Sequence, residues 1–246
     1  MQKLIVILIS LVLAACATQL GIKNKVDLRR QMFSQVVFAP DFDSRRKDFL
    51  AKWTSPPRIK LEDHNASSIE KYKSTVTGQA KALEKPTGLK ITLATESKPA
   101  NVTITFDILA ELQKLTRSSV GKTNITNAGC HAEIDKSSDH RITAARIFVV
   151  VNPDAKSIQL MNGTLNAEVE ANENARITQC LVKGLLQALG FVNSSDVITP
   201  SIFNTARNLS RPTSLDLRLI RTLYDASLTA GMPRREALQA AEPLLK

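Results

Sequence analysis

The sequence is poor in the side chains that build metal centres. Its 246 residues include 3 His and 3 Cys, which leaves little room for a site made of imidazole and thiolate ligands. Aromatic residues are 4%, and that argues against the stacking platforms on which single-stranded nucleic acid is bound. Beyond the first sixteen residues no apolar run is long enough to span a bilayer. Gly-x-Ser-x-Gly is absent and no glycine-rich phosphate loop occurs, so neither a hydrolase nucleophile elbow nor nucleotide binding has a motif behind it. Repeats and low-complexity tracts are also missing. What remains is a chain with 43% hydrophobic residues, enough for a sizeable core and too many for global disorder. Lys and Arg outnumber Asp and Glu by 33 to 23, a net charge of +10.

The first segment reads as an address. Lys3 precedes an uncharged run from Leu4 to Ala15, too short for a comfortable transmembrane helix and of the right size for a signal-peptide core. The run ends Leu13-Ala14-Ala15-Cys16, which resembles the lipobox of bacterial lipoproteins. The resemblance implies that residues 1–15 are a lipoprotein signal peptide, that Cys16 carries lipid as the mature N-terminus, and that the protein is anchored in the cell envelope. With Ala17 rather than Asp after the cysteine, it implies the outer membrane, facing the periplasm. Residues 16–41 then read as a lipidated N-terminus and tether. Cys130 and Cys180 are left as an even pair in an oxidising compartment and are expected to form a disulfide, the alternative being two separate buried thiols.

From residue 42 the pattern is that of a folded domain. Arg58 to Glu62 reads as a strand. Ile69, Tyr72, Val76, Ala80 and Leu83 recur at helical spacing after a Ser67 or Ser68 cap, and Pro86 and Gly88 stop that helix. Leu89 to Thr95 and Asn101 to Phe106 read as strands, Asp107 to Thr116 as a short helix, and Cys130 to Ile134 with Ile142 to Val151 as a strand pair. Ala175 to Leu189 is the clearest helix, with Gly190 as its stop. Thr213 and Asp216 are spaced like a capping box opening another helix, and a last short helix runs to Ala241. The expected fold is α+β, a single domain over 42–246 with one twisted mixed sheet.

The segment from Lys183 to Asn193 resembles the active-site segment of the metzincin zinc proteases, HExxHxxGxxH. In that motif two His one helical turn apart and a third beyond a glycine hold zinc, and the Glu is the general base. The spacing and Leu189-Gly190-Phe191 are kept, but Lys183, Gly184, Gln187 and Asn193 stand where the first His, the Glu and the other two His would be. Ser201-Ile202-Phe203 resembles the methionine-turn segment, with Phe203 at the Met. The chain resembles a bacterial family of lipoproteins of unknown function with a degenerate metzincin-like domain, well over about its C-terminal third and more loosely over residues 42–160. The matching residues are Cys180, Gln187 to Gly190, Asn193, Ser201 to Asn204, Leu223 to Asp225 and Gly231-Met232. The resemblance implies an active-site-type helix, a C-terminal helix, and a degenerate cleft lined by Lys183, Gly184, Gln187, Asn193 and Phe203. It implies no catalytic residue, no metal and no cofactor, because a lysine repels a divalent cation, an amide is a weak zinc ligand and glycine is no base.

Other readings compete. His64, His131 and His140 have no standard ligand spacing. A divergent peptide or glycan hydrolase would draw on acids such as Glu173, Asp196 and Asp216. Arg45-Arg46-Lys47 with Lys52 reads as one basic cluster, and Arg207, Arg211, Arg218, Arg221, Arg234 and Arg235 as another. These would suit an acidic envelope protein or an anionic glycan, while export removes the protein from nucleic acid. The expected function is therefore a lipid-anchored binding or assembly module, with a hydrolase or a purely structural lipoprotein as alternatives.

Overall fold

The computed structural model describes residues 25–38, 49–63, 69–117, 119–151, 165–194, 200–204 and 209–246. The segment read as a signal peptide, Cys16, Arg45 to Lys47, His64, the proposed Ser67/Ser68 cap, Asp196 and Arg207 lie outside the described residues.

Five strands form one mixed sheet in the order β2-β1-β3-β5-β4. They are β1 (Arg58–Asp63), β2 (Thr92–Leu93), β3 (Val102–Asp107), β4 (Cys130–Lys136) and β5 (Ile142–Val150). β1 pairs in parallel with β2 and β3, β3 pairs in parallel with β5, and only β4 runs antiparallel. The segment β1–α2–β2, with α2 spanning Ile69–Thr87, is a parallel crossover unit, the arrangement in which a helix returns the chain to the same edge of the sheet. α2 ends at Gly88, whose φ of +69° suits glycine and whose N–H donates to Glu84 O at 2.8 Å.

The two faces of β5 receive different helices. Ile147 and its odd-numbered neighbours Ala145 and Val149 lie under α5 (Leu165–Ala188). Phe148 faces the other way and packs with Leu112 of α3 (Leu109–Leu115) and Ile125 of α4 (Ser119–Ala128). Between Asp135 and Lys136 the β4–β5 register slips, Asp135 pairing with Ala144 and Lys136 with Ile142. The extra residue turns Ile142 to the same side as Ala145, so one bulge adds a buried side chain beneath α5.

α5 is the central element. From Cys180 to Gly190 every residue is buried except Lys183 and Gln187, which are half-buried on one stripe. Its end is a Schellman motif. Phe191 N–H donates to Leu186 O at 3.2 Å and Gly190 N–H to Gln187 O at 3.0 Å, with Phe191 and Leu186 both fully buried. Gly190 has φ +105°, and a Cβ there would lie 2.6 Å from Ala51 O. Both constraints require glycine at the position where the sequence predicts the stop.

α6 (Ser214–Tyr224) begins with the expected capping box between Thr213 and Asp216, and α7 (Arg234–Ala241) leads into a 3₁₀ turn at Glu242–Leu245. Several features differ from the sequence expectations: the strand read over Leu89 to Thr95 is Thr92–Leu93 alone, and the helix read from Ala175 begins at Leu165. α4 is a full helix where no element is expected. Its sequence, SVGKTNITNA, has low helix propensity, and the packing of Ile125 against Leu112 and Phe148 overrides that. Residues 25–38, within the stretch read as a tether, form helix α1. Met32, Phe33, Val36, Val37 and Phe38 of α1 are buried in the main core.

Cys130 and Cys180 are disulfide-bonded, with Cα atoms 5.7 Å apart, and the bond ties the start of β4 to the middle of α5. A link closing a loop of this length contributes about 4 kcal/mol in the chain-entropy account. Cys180→Ser is therefore expected to lower the stability of the folded domain by about that amount, read as a reduced midpoint in denaturant unfolding. The Cys130→Ser, Cys180→Ser double variant should be no less stable than either single one.

Candidate functional site

The positions singled out in the sequence take up packing and capping roles. Gly184, which the sequence resemblance sets at a general-base position, lies close against the sheet: a Cβ there would sit 2.5 Å from Ile147 Cγ2. No acidic side chain fits without moving the helix off β5. Asn193 is buried and belongs to α1. Its amide donates to Gln35 O at 3.3 Å and its backbone N–H to Val36 O at 3.3 Å, satisfying carbonyls in the last turn of α1 that have no partner inside their own helix. Phe203 is fully buried and stacks on Phe191 with ring centroids 5.1 Å apart, a pairing that adds roughly 1 kcal/mol beyond burial. Lys183 and Gln187 share one half-buried stripe of α5.

The C-terminal end of α5 is held from outside. Trp53 Nε1 donates to Ala188 O at 2.8 Å and Tyr224 Oη to Leu189 O at 2.9 Å. Burial pushes the Tyr224 phenol upward, so it stays a donor. Lys52, read from sequence as part of a surface cluster, is instead 8% exposed. Its ammonium donates to Leu223 O at 3.1 Å, Asp225 O at 3.1 Å and Leu228 O at 2.6 Å. Its nitrogen lies 5.5 Å from the Tyr224 ring centroid. A cation at the C-terminus of α6 meets carbonyls left over from the helix, which is why a charge is tolerated there.

The acids considered for hydrolysis are engaged separately. Asp216 is fully buried. Its carboxylate accepts from Ser201 Oγ at 2.6 Å, Ile202 N–H at 3.0 Å and Thr213 N–H at 2.7 Å, fastening the Ser201–Asn204 segment to the start of α6. Glu173 takes both ends of Arg176, at 2.8 and 2.6 Å. The described histidines are apart as well. His131 is buried on β4 with Nε2 4.0 Å from Glu133, which also pairs with Arg117 and Arg146. His140 lies beyond the other end of β4, about 15 Å along the strand, stacked on Phe49 at 4.7 Å. Among the described residues no group of three or more His, Cys, Asp or Glu side chains is arranged to hold a metal ion.

A polar set that the sequence reading missed lies at the carboxyl ends of the parallel strands, where open sheets of this kind place ligands. Asp63 ends β1 and Asp107 ends β3. The register sets Asp63 beside Phe106 and Asp107 beside Val150 of β5. Tyr72 stacks on Phe106 at 5.4 Å and its hydroxyl bonds the Asn174 side chain at 3.1 Å. Arg176, paired with Glu173, reaches across to Val150 O at 2.5 Å, and Gly129 leaves room for it. Asp107 is 1% exposed. The available signal was an acid closing each of two apolar strand patterns, Leu61-Glu62-Asp63 and Thr105-Phe106-Asp107. Asn174 lies 13 residues from Gln187 along α5, about 20 Å, so this set, in the middle third of the helix, is well separated from the expected cleft near its C-terminal end.

Two outcomes follow. Gly184→Ala should destabilise the domain by about 1–3 kcal/mol through overpacking. Ile147→Ala should recover part of that loss, so a double-mutant cycle of chemical unfolding should give a clearly non-additive coupling. Desolvation holds the Lys52 amine below its ordinary range, with Asp225 pulling it partly back. The unfolded chain then binds more protons than the folded one between the lowered value and 10.5, so this group's contribution favours folding increasingly as pH rises through that window. Stability of the native chain relative to Lys52→Met should therefore increase from pH 7 toward pH 10, measured by unfolding both proteins across the range.

No curated protein and no solved structure matches the chain. Residues 27–242 match the family described as Protein of unknown function (DUF2927). The match opens inside α1 and closes in the final 3₁₀ turn, so it takes in the elements of the folded domain, and the chain belongs to that family.

Proposed function

We propose that the protein is a lipid-anchored component of the bacterial cell envelope, whose metzincin-like domain acts as a non-catalytic binding or assembly module. One observation carries the reading. The positions that would hold a base, a third ligand and the methionine turn are occupied by Gly184 against Ile147, Asn193 on the carbonyls of α1, and Phe203 on Phe191. Each residue is committed to holding elements together, and the packing at Gly184 leaves no space for the base. The disulfide supports export, since such bonds persist in oxidising compartments. No helix among the described residues is long and apolar enough to cross a membrane, which leaves Cys16 to carry the attachment in this reading.

The partner would be acidic, an envelope protein or an anionic glycan. Arg218 and Arg221 lie on α6 away from its buried face, and neither has a carboxylate partner among the described residues. Arg234, by contrast, is committed to α1 through Ser34 Oγ at 2.7 Å. A second reading, a divergent envelope hydrolase, is favoured by one feature: Asp107, a buried carboxylate at the carboxyl end of the central strand.

The test combines acyl labelling with crosslinking in a bacterial host that has an outer membrane. The full chain should take up labelled palmitate, Cys16→Ser should not, and a crosslinked partner should be lost in the Arg218→Glu, Arg221→Glu variant. Absence of label on the native chain would sink the anchored reading. A partner retained by the arginine variant would remove α6 as the binding face.

A further inference from the structure

A tether occupying residues 16–41 would reach about 90 Å when extended, and would leave the domain free to range far from its anchor. The folded body begins much earlier. α1 is part of the core from its first turn, where Val26 is buried, and it is fastened at both ends. Arg29 Nη1 donates to Leu245 O at 2.8 Å, Arg30 lies 3.6 Å from Glu242, and Arg234 reaches Ser34. Only the eight residues 17–24 separate Cys16 from residue 25 of α1. Whatever their conformation, the nine steps from one Cα to the next span at most about 30 Å.

We infer that the face formed by the first turn of α1 and the Glu242–Leu245 turn abuts the phospholipid surface of the leaflet that holds the lipid on Cys16. This rests on the reading that Cys16 is lipidated. Two features of the face fit a bilayer. Leu28 is 43% exposed, one of three large hydrophobic side chains so placed among the described residues, and it can enter the head-group layer. Lys25 is exposed three residues before it, and Lys246 is exposed beyond the adjoining turn. Asp27 and Glu242 interleave with these cations, and Glu242 is paired with Arg30. With Arg29 and Arg30 the face carries four basic side chains against two acidic ones, a modest positive surplus, and the short tether sets the orientation. α3 and α4, on the other side of the sheet, point away from the membrane and toward the compartment.

The test uses the full lipidated chain in vesicles of phosphatidylethanolamine and phosphatidylglycerol. With Cys16 acylated and Cys130 bonded to Cys180, an introduced cysteine is the single free thiol. Gln31→Cys on α1 and Thr123→Cys on α4 are labelled with a fluorophore, and head-group spin-labelled lipid serves as quencher. Quenching should be several-fold stronger at position 31 than at position 123, and it should persist at 0.5 M salt, where the screening length falls to about 4 Å. Inserting a flexible Gly-Ser segment between residues 24 and 25 should erase the difference. Equal quenching at the two positions, or none at either, in protein whose N-terminal peptide carries lipid by mass would overturn the orientation alone. A preparation whose N-terminal peptide carries no lipid would overturn the orientation together with the anchored reading.

Discussion

The close approach of α5 to β5 at Gly184 is the constraint on which the rest of the domain depends. With no side chain at that position the helix sinks onto Ile147, and residues on nearly all its sides become buried. A helix whose C-terminal part, from Cys180, is buried in this way has few ways to satisfy that end. Its terminal carbonyls are taken by Trp53, Tyr224 and the Schellman turn at Gly190, and its flank is bonded to β4 through Cys180. At this turn the contact with Ile147 leaves no room for a side chain.

Much of this was legible in the sequence. Thr213 and Asp216 announced the capping box by spacing alone, and the structure adds that the same carboxylate also holds Ser201 and Ile202. Gly190 announced the end of α5, and the apolar stripe of α2 announced its buried side. The pairing of Cys130 with Cys180 was the expected one once Cys16 was set aside as lipidated, with two separate thiols as the alternative, and the structure has the bond. These signals are local, or depend on composition, so a linear reading can recover them.

What failed to show was decided by distant partners. Lys52 sits in a sequence that reads as exposed and basic, yet its destination is three carbonyls more than 170 residues away. α4 has the composition of a loop and becomes helical because Ile125 has Phe148 to cover. The residues of α1 lay too close to an apparent anchor to be read as core, although Met32, Phe33, Val36, Val37 and Phe38 carry an amphipathic pattern. Asn193 looked like the remnant of a ligand, and only the position of α1 shows it to be a cap. In each case the missing information was the identity of the neighbour.

The edges of the sheet carry a consequence for how any partner is met. β2 is two residues long, and β4 presents Glu133, Asp135 and Lys136 with a break in register at its far end. Short, charged or irregular edges are how natural sheets prevent another strand from joining them. Strand addition, in which a peptide gains most of its affinity from main-chain hydrogen bonds and little from its own sequence, is therefore opposed at both edges formed by the described strands. Recognition falls to side chains on helices and strand ends, where discrimination among partners depends on their charge and shape.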